Sequence, residues 1–137
     1  IIAGSGSELS WYFDSSAILK LILREPNYTQ LLPYVREQIY TSKISRVEVF
    51  RTIAVKAPWA KSGGVSFFQR CHVIELVESI INHAENYSDQ ITLTALDSLQ
   101  VASAEAIAPL IRGIISYDKK LITNAKVLGL EAVSPGA

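Results

Sequence analysis

Asp14, Glu48, Asp97 and Asp118 are the residues of this 137-residue chain whose types and spacing point to chemistry. Each lies at, or within one turn of, the expected start of a helix, and Asp14 and Asp118 directly follow expected strands. Positive helix ends favour ionised carboxylates, and clustered carboxylates need a cation to offset their repulsion. Mg2+ or Mn2+ suits such a set, being a hard ion that prefers oxygen ligands. A structural reading stands beside this one. Asp14 and Asp118 could simply cap the helices that follow them. Ser45-Arg46-Val47-Glu48 and Thr94-Ala95-Leu96-Asp97 both have capping-box spacing, in which the acid reaches back to the cap residue's amide. Asp97 resists that reading, because Leu93, Val101 and Ala104 surround it at helical spacing and it interrupts an apolar face. A buried, unpartnered charge is costly and calls for a cation or hydrogen bonds.

Other reactive residue types carry less. Ser15 and Ser16 lack a Gly-x-Ser-x-Gly setting, and Gly63-Gly64 lacks the Lys-Ser/Thr continuation of a phosphate-binding loop. Cys71 is the single cysteine and reads as an inert core thiol. It excludes an internal disulfide framework, and with only His72 and His83 besides, a Cys- or His-based metal site is not expected. A reducing cytoplasm is the expected setting.

The elements that must position the acids follow from periodicity and stop signals. Trp11-Tyr12-Phe13 reads as a strand ending at Asp14, followed by a helix from Ala17 to about Arg24. Pro26 ends it, and a second helix is expected from near Asn27 with Leu31, Leu32 and Val35. Residues 38–44 read as a second strand, and Ser45 as the start of a helix with Val47, Phe50, Ala54 and Ala57 in one stripe. Pro58 and Gly63-Gly64 mark a loop, residues 65–84 have helical periodicity, and Thr94 opens a helix running to Pro109. Ile114 to Tyr117 is a buried strand, Asp118 starts a helix that Gly129 ends, and Ala132-Val133 is a last short strand. Short apolar strands alternating with helices imply an α/β fold whose parallel sheet is covered on both faces.

The composition fits one globular domain: 49% of residues are apolar, 19% are charged, and 13 Lys and Arg balance 13 Asp and Glu. No bulk charge advertises a nucleic-acid or membrane partner, though a local basic rim is compatible with a neutral total. No apolar run reaches the roughly 18 residues of a membrane span. Ala3-Gly4-Ser5-Gly6-Ser7 resembles a flexible linker, and the chain contains no methionine. Residues 1–8 are therefore expected to be a linker or cloning remnant, and 9–137 a single domain.

With these elements in place, the motifs resemble the PIN domains of VapC-type toxins. Tyr12-Phe13-Asp14-Ser15-Ser16-Ala17 with Lys20-Leu21 looks like the opening of such a domain. Val47-Glu48-Val49 with Arg51, and the run from Ala95 through Asp97 to Ala104, look like its second and third acidic motifs. Ser116-Tyr117-Asp118-Lys119-Lys120-Leu121, with Gly129-Leu130 and Pro135, is similar to the fourth. The resemblance spans roughly residues 10–135. It implies a three-layer α/β/α fold around a small parallel sheet and a Mg2+- or Mn2+-dependent endoribonuclease. Asp14, Asp97 and Asp118 would hold metal, and Glu48 would complete the site or orient the attacking water. It further implies a cognate VapB-type antitoxin and a homodimer. A catalytically silent interaction module on the same fold is the alternative. A haloacid-dehalogenase-type phosphatase fits less well, since it wants an Asp where Ser16 stands.

Overall fold

The computed structural model describes residues 9–36 and 38–137, so the expected linker at 1–8 lies outside the described residues. β1 (Ser10–Phe13), β2 (Ile39–Ser42), β3 (Cys71–Ile74), β4 (Ile111–Ile115) and β5 (Ala132–Val133) form one parallel sheet in the order β3-β2-β1-β4-β5. Six α-helices accompany it among the described residues: α1 (Ser15–Ile22), α2 (Lys43–Lys56), α3 (Lys61–Gln69), α4 (Glu78–Glu85), α5 (Ala95–Ala106) and α6 (Lys119–Val127).

The central strand is apolar throughout because both its faces are covered. Alternate side chains point to opposite sides of a strand. Trp11 and Phe13 therefore join Ile18, Leu31, Val49, Ile53 and Phe68 on one face, while Tyr12 packs with Val101, Ala104, Leu121 and Ala125 on the other. This is the three-layer α/β/α arrangement implied by the sequence. Among the described residues no helix is long and apolar enough to cross a membrane.

Several local expectations change. Ser42, not Ser45, caps α2: it is extended, and its hydroxyl accepts the Ser45 N–H at 3.3 Å. The earlier serine wins because β2 ends there. The buried stripe becomes Ser45, Val49, Ile53 and Ala57, whereas Val47 is 60% exposed. The segment after Asn27 is a 3-10 helix, Tyr28–Tyr34, containing Pro33, which has no N–H for an α-helical ladder.

Gly63 and Gly64 lie inside α3 rather than in a loop. A Cβ on Gly64 would stand 3.0 Å from the Phe50 ring and 3.1 Å from Ile53, so the glycine permits α3 to approach α2 closely. The expected helix over 65–84 is in fact the end of α3, then β3, then α4. His72 and Val73 belong to a four-residue strand paired with β2, and so short a segment leaves helical periodicity uninformative. By contrast Gly129 (φ +89°) ends α6 as expected, with Leu130 N–H on Ala125 C=O and Gly129 N–H on Lys126 C=O, both at 3.0 Å.

Gly113 in β4 offers a stability test. A Cβ there would fall 2.4 Å from the backbone oxygen of Glu131, the same oxygen that accepts the Ile114 N–H at 2.9 Å. Gly113→Ala should therefore push β5 off the sheet edge and lower stability by about 3 kcal/mol, or roughly 10 °C in Tm. Thermal unfolding followed by circular dichroism checks this; an unchanged Tm would refute the close approach.

Candidate functional site

The topology brings the acids to one edge of the sheet. The chain builds outward from β1 to β2 and β3, then returns to place β4 and β5 on the other side. The C-terminal ends of β1 and β4 thus border the switch point, where open α/β sheets form their ligand crevices. Asp14 is the first residue beyond β1, and its N–H donates to Ile115 C=O at 3.2 Å. Asp118 lies just beyond β4, and Glu48 lies on the helix that leaves β2. The helix α5 leads into β4 and so runs against the strand direction, bringing its N-terminal residue Asp97 to the same edge.

Asp14 is 3% exposed and caps α1. Its Oδ1 accepts the Ala17 N–H at 2.9 Å and the Ser16 hydroxyl at 2.6 Å. Burial pushes its carboxyl up to about 6 from the ordinary 3.8; the Glu48 charge adds to this, while donors from Ser116, Ser16 and Ala17 oppose it. Asp97 is half-buried, with its N–H on the Thr94 hydroxyl at 3.2 Å. Burial raises its pKa, as do the charges of Asp118 and Glu48, against the Thr94 hydroxyl and Lys120. Asp118 is exposed and caps α6, accepting from Lys120 N–H at 2.9 Å and Leu121 N–H at 3.1 Å.

Glu48 departs from its expected local role. With Ser42 as the cap it falls in the second turn of α2, out of reach of a capping box on Ser45. Its Oε1 instead accepts the Ser15 hydroxyl and the Gln100 side-chain amide, each at 2.9 Å. Gln100 is itself held, because Ser45 donates to its Oε1 at 2.9 Å and the Tyr12 hydroxyl donates to the same atom. Tyr12 also reaches Ser42 Oγ at 2.8 Å. Burial raises the Tyr12 pKa, keeping the phenol protonated and able to donate.

Sequence reasoning weighed Ser15 as a nucleophile, Ser45 as a helix cap and Tyr12 as a strand residue, but placed none of them, nor Gln100, at the acidic site. One signal was available for Gln100: it is a polar side chain on the α5 face that carries Asp97, Val101 and Ala104. The serines gave none, because their partners come from distant strands and helices.

Electrostatically the acids form a chain, with Asp14 and Asp97 each in the field of Glu48 and Asp97 also in that of Asp118. An all-oxygen set with mutual repulsion suits a hard divalent cation. Among the described residues no three acids stand ready-made as a cation cage. Mg2+ does not require one, since it keeps several waters and is commonly held through one or two carboxylates. Several basic residues lie close in sequence to the acids. Arg46, Arg51, Lys119 and Lys120 are exposed, and Lys43 reaches Glu75 at 3.5 Å.

The two histidines lie elsewhere, on a strand and a later helix rather than on one long helix. His72 stacks on Tyr40 with ring centroids 5.0 Å apart, and His83 Nε2 lies 2.9 Å from Glu105. Cys71 donates its thiol to Phe67 C=O at 3.3 Å, and burial pushes that thiol up to about 12. It is half-buried on the edge strand β3 and packs against the core rather than lying inside it.

A parallel α/β/α sandwich with carboxylates gathered at its switch-point edge defines the class of protein. No family model matches the chain. The chain is 29% identical over 133 residues to Ribonuclease VapC47 of Mycobacterium tuberculosis, covering 92% of this chain and 97% of that protein. Its fold matches VapC20 of Mycobacterium tuberculosis, described as a sarcin-ricin-loop-cleaving toxin, with a TM-score of 0.71, 15% identity and coverage of 92% and 100%. It likewise matches a chain of a toxin-antitoxin complex from Klebsiella pneumoniae, with a TM-score of 0.73, 20% identity and coverage of 92% and 98%. In fold the chain matches VapC toxins of known structure, and its sequence is similar to a VapC ribonuclease over most of its length.

Proposed function

We propose that this chain is a divalent-metal-dependent endoribonuclease, the toxin of a type II toxin–antitoxin pair acting in the cytoplasm. The observation that carries the reading is the chain of mutually repelling acids, Asp14, Glu48, Asp97 and Asp118, at the switch-point edge. Its support from relatives is the similarity to a protein named a ribonuclease.

Asp14, Asp97 and Asp118 would hold Mg2+ or Mn2+, with Glu48 completing the site or orienting the attacking water. Such an ion supplies an activated water and charge stabilisation for the phosphate oxygens and leaving alkoxide. The chain itself provides the rest. Hydrogen bonds from Ser16 and Ala17 fix Asp14, and the two helix caps hold Asp14 and Asp118 at the cleft. Arg46, Arg51, Lys119 and Lys120 would attract the RNA backbone from solvent. The same acids would accept the guanidinium or ammonium of a basic antitoxin side chain, which would compete with the cation. A homodimer belongs to this proposal as well.

The silent interaction module keeps two observations in its favour. Asp14 and Asp118 already serve as helix caps, and no three-acid cage is preformed among the described residues. Cleavage of a mixed RNA substrate separates the two readings. Purified protein should cut RNA in Mg2+, stop on chelation, and resume when Mg2+ or Mn2+ is restored. Absence of metal-dependent cutting by folded, antitoxin-free protein would favour the silent module.

A further inference from the structure

Gln100 is a buried amide, 1% exposed, on the α5 face that carries Asp97 three residues earlier. Nothing about a helix interior demands an amide here, and the flanking Val101 and Ala104 are fully buried. The amide joins two systems. On one side lie the hydroxyls of Tyr12 and Ser45, both on Gln100 Oε1; on the other lies the Glu48 carboxylate. An ionised carboxylate only accepts, so the Gln100 atom facing Glu48 must be its NH2 group. The two hydroxyls enforce that orientation from behind by occupying Oε1. Gln100 and Ser15 then both donate to Glu48 Oε1, at 2.9 Å each.

We propose that Gln100 is a positioning residue for Glu48: clamped by Tyr12 and Ser45, its amide fixes Glu48 Oε1 so that Oε2 is the oxygen offered to a divalent cation. This rests on the reading of the acidic edge as a metal-dependent ribonuclease site. Gln100 itself touches neither ion nor substrate. The clamp spans three elements, β1, α2 and α5, so it also locks Glu48 to the strand that presents Asp14. Buried polar networks of this kind are rigid when fully satisfied. Among the described residues no buried side-chain nitrogen or oxygen lacks a partner.

The test is a double-mutant cycle between Gln100→Met and Glu48→Gln, read on two signals. The first is the dissociation constant for Mn2+ alone, measured by calorimetry on the free protein. The second is the rate of RNA cleavage as Mg2+ is titrated. Gln100→Met conserves volume, and Ser42 remains beside the Tyr12 and Ser45 hydroxyls, 2.8 and 3.5 Å away. Mn2+ binding should weaken about tenfold or more, the usual cost of losing a ligand-orienting partner. The same substitution should do nothing further in the Glu48→Gln background, since coupled residues are non-additive. Tyr12→Phe should give a smaller weakening of the same kind, and it replaces Gln100→Met in the cycle if that variant does not fold.

Equal losses in both backgrounds, or Mn2+ affinity untouched by Gln100→Met, would overturn the proposal. So would a wild-type protein that binds no Mn2+. If the cycle couples in Mn2+ binding while the wild type cuts no RNA, Gln100 positions Glu48 and the ribonuclease reading alone fails.

Discussion

Asp97→Asn should abolish metal-dependent RNA cleavage while the chain stays folded, with turnover falling at least about a hundredfold, equivalent to about 3 kcal/mol of transition-state stabilisation. The substitution keeps the side chain's shape but removes the charge a hard cation requires. It does not disturb the helix start, because the capping bond runs from the backbone N–H of residue 97 to the Thr94 hydroxyl and survives the change. Asp97 is also the acid on which two other carboxylates act, Asp118 and Glu48, so its charge is held against repulsion in the metal-free protein. Removing it relieves that repulsion, and Tm without metal should not fall. Loss of cleavage together with an unchanged or higher metal-free Tm is the expected pair of results. Wild-type cleavage by Asp97→Asn protein, freed of contaminating nuclease, would remove Asp97 from the metal site.

The helix-start positions of Asp14, Asp97 and Asp118 could be read from sequence because each depends on short-range signals. A strand of Trp11, Tyr12 and Phe13 followed by an acid, and a threonine three residues before Asp97, are local patterns with local causes. The phase of α2 shows the limit of such signals. Ser42 and Ser45 are both competent caps, and only the end of β2, fixed by pairing with β1 and β3, selects Ser42. That choice moves Glu48 from the first turn to the second and changes what its carboxylate can meet. Gly63 and Gly64 looked like a loop because glycine is a poor helix former, yet α3 needs Gly64 where Phe50 and Ile53 crowd it. The clamp on Glu48 was out of reach for a similar reason. Tyr12 and Gln100 stand 88 residues apart, and their meeting is a property of the sheet and its covering helices.

Those long-range contacts also set the electrostatic cost of the site, which gives a pH-dependent result for Asp14. In the metal-free protein its carboxyl titrates near 6 rather than its ordinary 3.8, mainly because it is buried. The folded state therefore binds the proton more tightly than the unfolded chain does. The resulting stabilisation is fully present below 3.8 and is lost as pH rises through about 6. Wild-type protein in chelator should lose about 1.4 kcal/mol of stability to this group between pH 5 and pH 7. Asp14→Asn resembles the protonated form and can still accept the Ala17 N–H, since Asn caps helices about as well as Asp. The variant should lack this loss and exceed the wild type at pH 7 by about 2 to 3 kcal/mol in the absence of metal. Mg2+ should reverse the ranking by binding the native wild type, because a ligand held only by the folded state stabilises it. Urea unfolding of both proteins at pH 5 and 7, with chelator and with Mg2+, measures each arm. Parallel pH profiles in chelator would show that burial does not raise the Asp14 carboxyl into this pH range. An equal gain from Mg2+ in both proteins would remove Asp14 from the cation's ligands. A steeper loss in the wild type, cancelled by Mg2+, would mean that the carboxylate destabilising the empty fold is the one that binds the ion.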